Sequence, residues 1–349
     1  MRRLPIYFLI DVSESMVGDP IACVQEGMAA IIKELRTDPY ALETVYISVI
    51  VFAGRAKKLT PLMELHQFYL PNLSVGGGTA LGEGLEFLMN DMDASLVRTT
   101  REHKGDWKPI VFLFTDGAPT DSPDAAFERW NQRYRMASSL IAISIGNNPS
   151  AGILKKITDN VLELKNTDPR SFNRFFKWIT ASIKAVSTSI NELSGDELKL
   201  SPFSDDLLKK IEMEVNQPIA VDEQVAVFLS KCAKTERPYL VKYRKRPGFD
   251  EFASYLSNPK KYELEGAYPI NNEYFELADV YQTGKTVNTS ELLGFPSCPC
   301  CGNPYGFSIC RCGRMMCTGE EEVCTCPWCG MEARFSMAEK DSDINRTRG

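Results

Sequence analysis

The chain has 349 residues, 44% apolar and 25% charged, a balance that excludes a disordered polypeptide and fits two or three globular domains. Residues 1–190 carry 21 basic and 21 acidic side chains, so the whole net charge of −6 lies beyond them and argues against binding nucleic acid through overall charge. No apolar run reaches the ~20 residues that span a bilayer, and only His66 and His103 could serve a mechanism that needs an imidazole base.

Met1-Arg2-Arg3 followed by the apolar run 4–10 begins like a signal peptide. The run stops at Asp11 with no small-residue cleavage site, so it reads as a strand buried on both faces, and the expected location is cytoplasmic. Residues 21–35 place Val24, Met28, Ile31, Ile32 and Leu35 on one helical face. Residues 44–52 are β-branched and aromatic, and 57–60 follow after a short turn as an antiparallel edge. Leu81, Leu85, Leu88 and Met92 mark a second helix; 110–114 and 140–145 read as strands. Phe172, Phe175, Phe176, Ile179 and Ile183 mark a last helix. Strands alternating with helices predict an α/β fold, a doubly wound, mostly parallel sheet whose ligands lie beyond the carboxyl ends of the strands.

Three loops at such ends carry hard oxygen donors: Asp11-Val12-Ser13-Glu14-Ser15, Gly76-Gly77-Gly78-Thr79 and Asp116-Gly117. Each alone has an ordinary explanation. Ser15 or Asp19 can cap the helix at 21, Thr79 can cap the next, and Asp116-Gly117 can be a turn. Their joint appearance at one sheet edge favours ligation. Two carboxylates with hydroxyls and water suit Mg²⁺. The pieces DVSESM at 11–16, GGGTAL at 76–81 and FTDGAPTD at 114–121 resemble the von Willebrand factor A domain over roughly residues 1–190, a Rossmann-like fold. The resemblance implies a metal-ion-dependent adhesion site at Asp11, Ser13, Ser15, Thr79 and Asp116, which offers an open position on Mg²⁺ or another divalent ion to an acidic side chain of a partner protein. Many members have glycine where this chain has Glu14, which either alters metal preference or turns into solvent.

Residues 191–222 are polar and interrupted and read as a linker with a short amphipathic helix near 207–211. Residues 224–232 and 239–243 then form a hairpin, opening a small β-rich part over 223–296. Lys242, Arg244, Lys245 and Arg246, with Tyr239 and Tyr243, could touch phosphate but read better as a solvated strand edge. Cys23 and Cys232 stand alone in sequence; the other nine cysteines lie between 298 and 329. Two Cys-Pro-x-Cys-Gly units, Cys298/Cys301 and Cys326/Cys329, have the spacing of structural zinc knuckles. Disulfides need an oxidising compartment, and a redox pair needs a strand-to-helix setting that is missing. With Cys300 set aside, eight thiolates suffice for two Zn²⁺ ions. In one scheme the outer four form a zinc ribbon and Cys310, Cys312, Cys317 and Cys324 a second site; in another, Cys312 and Cys317 join the first knuckle. The ribbon occupies 297–336, and 337–349 is expected to be a flexible tail.

YLVKY at 239–243, AYPINNEYFEL at 267–277, LLGFP at 292–296 and the cysteine-rich segment together resemble the C-terminal metal-binding domain of TerY-like proteins, which follows an A domain. That family is associated with bacterial tellurite resistance and stress defence, beside a metal-dependent protein phosphatase and a protein kinase. The resemblance implies a non-enzymatic, metal-dependent adaptor with no membrane and no nucleic acid among its partners. Two enzyme-class and DNA-class alternatives stand beside it. A metal-dependent hydrolase would need Glu14, Asp19 or Asp121 as its base, and a nucleic-acid-binding zinc ribbon would need the basic residues 242–246. A kinase substrate is a third, with no particular Ser or Thr marked.

Overall fold

A computed structural model describes residues 2–116, 118–145, 151–164, 169–189, 208–210, 223–246, 248–249, 260–278, 285–319, 323–334 and 341–347. The chain divides into two compact units. The first holds 1–12, 19–73 and 79–219; the second holds 13–18, 74–78 and 220–349.

The first unit runs β1 (Leu4–Asp11), α1 (Asp19–Leu35), α2 (Pro39–Thr44), β2 (Val45–Phe52), β3 (Ala56–Glu64), α3 (Leu81–Ser95), β4 (Ile110–Thr115), α4 (Asp124–Arg133), β5 (Ser139–Ile145), β6 (Asn160–Leu164), α5 (Pro169–Ser189) and β7 (Leu208–Lys210). Its seven-stranded sheet has the order β3-β2-β1-β4-β5-β6-β7, parallel except for the two edge strands. Side chains alternate across a strand, so β1 sends Tyr7 and Leu9 to one face, where they pack with Leu85, Leu88 and Trp130. Phe8 goes to the other and stacks on Phe112 and Phe114, the latter against Phe175 and Phe176 of α5. Both faces are therefore apolar and covered, as a central parallel strand requires. Strand order reverses at β1, between β2 and β4. The carboxyl ends of β1 and β4 thus form the switch point at which open α/β sheets bind ligands.

The antiparallel edge expected at 57–60 is β3, while α2, α4 and β6 are additional elements. The helix expected near 207–211 is instead, over 208–210, a strand that closes the edge of β6 (Leu162↔Lys210). Strand β6 would otherwise present unpaired backbone groups, and this pairing outweighs a short amphipathic pattern. The remainder of the expected linker 191–222, and Gly117, lie outside the described residues.

The second unit continues with β8 (Val225–Lys231), β9 (Pro238–Lys245), β10 (Tyr262–Pro269), α6 (Glu273–Leu277), β11 (Thr286–Asn288), β12 (Leu292–Leu293), β13 (Tyr305–Ile309), β14 (Met315–Thr318), β15 (Val323–Thr325), β16 (Glu332–Arg334) and β17 (Asp343–Asn345). Six of these form one sheet in the order β12-β10-β9-β8-β14-β13. Because β14 pairs with β8 (Met315↔Ser230), the expected pieces 223–296 and 297–336 share a sheet and a core built on Phe228, Tyr239, Tyr243, Tyr262 and Met315. Residues 341–347, expected within a flexible tail, are built in. β17 pairs with β11, Ile344 joins the core, and Thr347 N–H donates to Val227 O at 2.9 Å. An apolar side chain with a β-sheet partner has more to gain by docking than by remaining in water.

Candidate metal centres

Asp11 ends β1, and its Oδ2 accepts the Thr115 hydroxyl at 2.7 Å, tying together the ends of β1 and β4; Asp116 follows, half-buried. Ser13 and Ser15 are buried, with hydroxyl oxygens 2.9 Å apart. Thr79 sits just before α3. Its N–H donates to Thr120 Oγ1 at 2.9 Å, and Thr120 N–H returns a bond to Thr79 O at 2.9 Å. These bonds fix the backbone yet leave the Thr79 hydroxyl, 1% exposed, with no hydrogen-bond partner among the described residues. A buried hydroxyl in that state costs about 1–3 kcal/mol unless a ligand satisfies it. Asp121 accepts Glu83 N–H at 3.1 Å at the start of α3, and burial raises its carboxyl above the usual range despite that bond and those from neighbouring amides.

Glu14 neither turns into solvent nor remains uncommitted. It is fully buried in the second unit, where Oε1 accepts the Tyr274 hydroxyl and Oε2 accepts Gly78 N–H at 3.3 Å. Burial, followed by the Glu14 charge, holds the Tyr274 phenol well above its ordinary range, so it remains a donor. Lys242, expected on a solvated basic edge, is likewise buried. Its ammonium donates to Ser15 O at 2.6 Å and Val17 O at 3.1 Å, and pairs with Glu265 at 3.0 Å. Burial pushes Glu265 up, but the charges of Lys242 and Arg244 reverse this and leave it below the usual carboxylate range.

The thiols form two groups, each with its four sulfurs within 4.8 Å of one another: Cys232, Cys298, Cys301 and Cys317; and Cys310, Cys312, Cys326 and Cys329. This differs from the outer-ribbon scheme. The knuckles Cys298/Cys301 and Cys326/Cys329 lie in different groups, Cys232 takes a place, and Cys324 and Cys300 take none. The reason is the sheet: β14 carries Cys317 beside β8, whose end delivers Cys232. The contacts Cys301–Cys317 at 3.8 Å, Cys232–Cys317 at 3.9 Å, Cys310–Cys329 at 3.8 Å and Cys312–Cys326 at 3.9 Å decide the chemistry. A tetrahedron with Zn–S of about 2.3 Å has S···S edges of about 3.8 Å, whereas a disulfide needs about 2.05 Å. The geometry therefore fits four-thiolate zinc, and none of the eleven cysteines is in a disulfide.

Local backbone supports both groups. Gly302 N–H donates to Cys298 O and Gly330 N–H to Cys326 O, each at 2.9 Å, closing tight turns in which both glycines take positive φ (76° and 72°) that a side chain would strain. Amides of Ala233 and Thr235 point at the sulfurs of Cys317 (3.3 Å) and Cys232 (3.4 Å). Burial pushes the Cys232 thiol up, yet the bonds from Thr235 and Lys234 outweigh it and bring it down to about 6. Burial, with the nearby Cys326 and Cys312 thiols, pushes Cys310 up to about 12. A divalent cation relieves such crowding by replacing the protons.

Residues 6–178 match the family model of the von Willebrand factor type A domain, and residues 222–349 match that of the TerY-C metal binding domain. No curated protein matches the chain. Among solved structures, proximal thread matrix protein 1 from the mussel byssus is 18% identical over 52% of this chain and 48% of its own, with a TM-score of 0.39. The pilus adhesin SpaC from Lactobacillus rhamnosus GG is 14% identical over 52% of this chain and 31% of its own, at 0.42. The ArnB paralog VWA2 from Sulfolobus acidocaldarius is 17% identical over 52% and 45%, at 0.37. The matched part thus spans less than half of each of these proteins.

Proposed function

The chain joins a von Willebrand factor type A domain to a TerY-C metal binding domain, the arrangement of TerY-like proteins, and on that premise we propose that it is a non-enzymatic, metal-dependent docking protein. Asp11, Ser13, Ser15, Thr79 and Asp116 hold one Mg²⁺ or similar hard ion, which presents an open position to an acidic side chain of a partner protein. The thiolate groups hold two Zn²⁺ ions that stabilise the second unit. The observation that carries this reading is the Thr79 hydroxyl, buried without a partner among the described residues at the carboxyl edge of the sheet, in a donor set of carboxylates and hydroxyls that matches a hard cation. When bound, the ion supplies an electrophilic coordination position; the chain's own residues orient it and exclude water around it.

The engagement of Glu14 favours docking over hydrolysis. Of the three carboxylates a hydrolase could use as a base, Glu14 is engaged at both oxygens by Tyr274 and Gly78 and Asp19 is exposed, while Asp121 accepts the amide of Glu83 at Oδ2 and keeps Oδ1 without a partner among the described residues. A nucleic-acid role is disfavoured in the same way, since Lys242, Tyr239 and Tyr243 are buried instead of forming a basic aromatic face. By family association the system is a bacterial stress-response or phospho-signalling one, with a kinase and a metal-dependent phosphatase as candidate partners. Electron paramagnetic resonance with Mn²⁺ tests the reading. One Mn²⁺ per chain, displaced by Mg²⁺ and lost in Asp11→Ala, is expected; equal binding by wild type and variant would refute it.

A further inference from the structure

Lys242 is a fully buried lysine in the middle of β9, with buried neighbours Val241 and Tyr243. Taking an ammonium out of water costs several kcal/mol unless it is paired and hydrogen-bonded. Here all three of its N–H donors have a partner: Ser15 O, Val17 O and Glu265. A leucine or methionine would fill the same space without that cost. What the charge adds is direction, because two of its three partners are the carbonyls of Ser15 and Val17, in the segment that carries Ser13 and Ser15.

A second set of side chains acts on the same segments of this unit. Tyr274, 4% exposed on α6, donates to Glu14, whose other oxygen accepts Gly78 N–H. The adjacent Glu273 accepts the Ser74 hydroxyl, and Asn271 Nδ2 donates to Ser74 Oγ at 3.1 Å. Residues 13–18 are thus held by Lys242 of β9 and Tyr274 of α6, and 74–78 by Glu273 and Asn271 at Ser74 and by Glu14 at Gly78. Gly77 shows how close the fit is, since a Cβ there would lie 3.1 Å from the Tyr274 hydroxyl and 3.2 Å from Glu14. Strand β9 is paired along its length with β8 (Val227↔Lys242), and β8 leads directly into Cys232 of the first thiolate group.

We propose that Lys242 and Tyr274 are positioning residues that set the Ser13 and Ser15 hydroxyls for the divalent ion. The proposal rests on the ion site described above. The charge of Lys242 does not oppose the ion strongly, because Glu265 compensates it at 3.0 Å. Its effect is to hold the Ser15 and Val17 carbonyls in place, pre-organising the two hydroxyls, and pre-organisation appears as affinity. Glu14 is the handle by which Tyr274 holds the same loop.

The test is Mn²⁺ titration of the zinc-loaded full chain by electron paramagnetic resonance, for wild type, Lys242→Met and Tyr274→Phe. Each variant is expected to bind Mn²⁺ about five- to tenfold more weakly and to give a broadened bound-Mn²⁺ spectrum. Both should retain two zinc ions per chain. Tyr274→Phe removes one oxygen from an otherwise intact ring, so it decides the matter if Lys242→Met fails to fold. Wild-type affinity and line shape in Tyr274→Phe, or tighter binding in either folded variant, would overturn the proposal and leave the ion site standing. Wild-type protein that binds no Mn²⁺ sensitive to Asp11→Ala would overturn both.

Discussion

Cys232→Ser is the perturbation that separates the thiolate grouping seen here from an outer ribbon of Cys298, Cys301, Cys326 and Cys329. The Cys232 sulfur lies 3.9 Å from that of Cys317 and belongs to a group with all sulfurs within 4.8 Å. Structural zinc contributes about 10–16 kcal/mol, so losing one of four similar thiolates removes roughly 3–4 kcal/mol, a 10²- to 10³-fold rise in the zinc dissociation constant. Serine keeps a polar atom for the Thr235 amide but is too hard and too short to replace the thiolate. Competition with a chromophoric chelator, with metal counted by atomic emission, reads the effect. Wild type should hold two zinc ions and Cys232→Ser one under moderate competition, while Cys324→Ser and Cys300→Ser keep both. Two retained zinc ions in Cys232→Ser, or loss of one in Cys324→Ser, would refute the grouping.

Thr79→Val, without divalent ions, should raise the melting temperature by removing a buried unpartnered hydroxyl worth about 1 kcal/mol, yet abolish any further rise on adding Mg²⁺; scanning calorimetry with and without the ion reads both. Gly27→Ala should destabilise the first unit by about 1–3 kcal/mol in urea unfolding, since its Cβ would fall 1.9 Å from the Phe176 ring. A chelator should strip the Cys310/Cys312/Cys326/Cys329 group before the other, because Cys312 and Cys329 are exposed whereas Cys232, Cys298 and Cys317 are buried; biphasic zinc release, with the fast phase lost in Cys326→Ser, is the expected record.

The parallel sheet was legible because its strands are apolar on both faces and its helices repeat at 3.6 residues, so 4–10, 110–114 and 140–145 announce themselves. α4 did not, since only Ala126, Phe127 and Trp130 of its ten residues are buried. The oxygen-donor loops were legible as a set because three separate strand or helix ends carried them. The direction of Glu14 was not, as its partners Tyr274 and Gly78 are remote in sequence. Spacing identified the knuckles Cys298/Cys301 and Cys326/Cys329 but not their partners, which the pairing of β14 with β8 decides. Cys232 carried one faint signal, a cysteine at the end of an apolar strand just before a turn. Lys242 carried none, because the carbonyls that make its burial tolerable belong to residues 15 and 17.

The central claim is that a hard divalent ion sits on Asp11, Ser13, Ser15, Thr79 and Asp116 while zinc occupies the thiolate groups. Anomalous diffraction from crystals grown with Mn²⁺ and Zn²⁺, recorded at both absorption edges, tests it directly. The account predicts one manganese peak within coordination distance of the Ser13 and Ser15 hydroxyls, and two zinc peaks, one within each group of four sulfurs. No manganese at those hydroxyls, or zinc shared between Cys298 and Cys326, would contradict it.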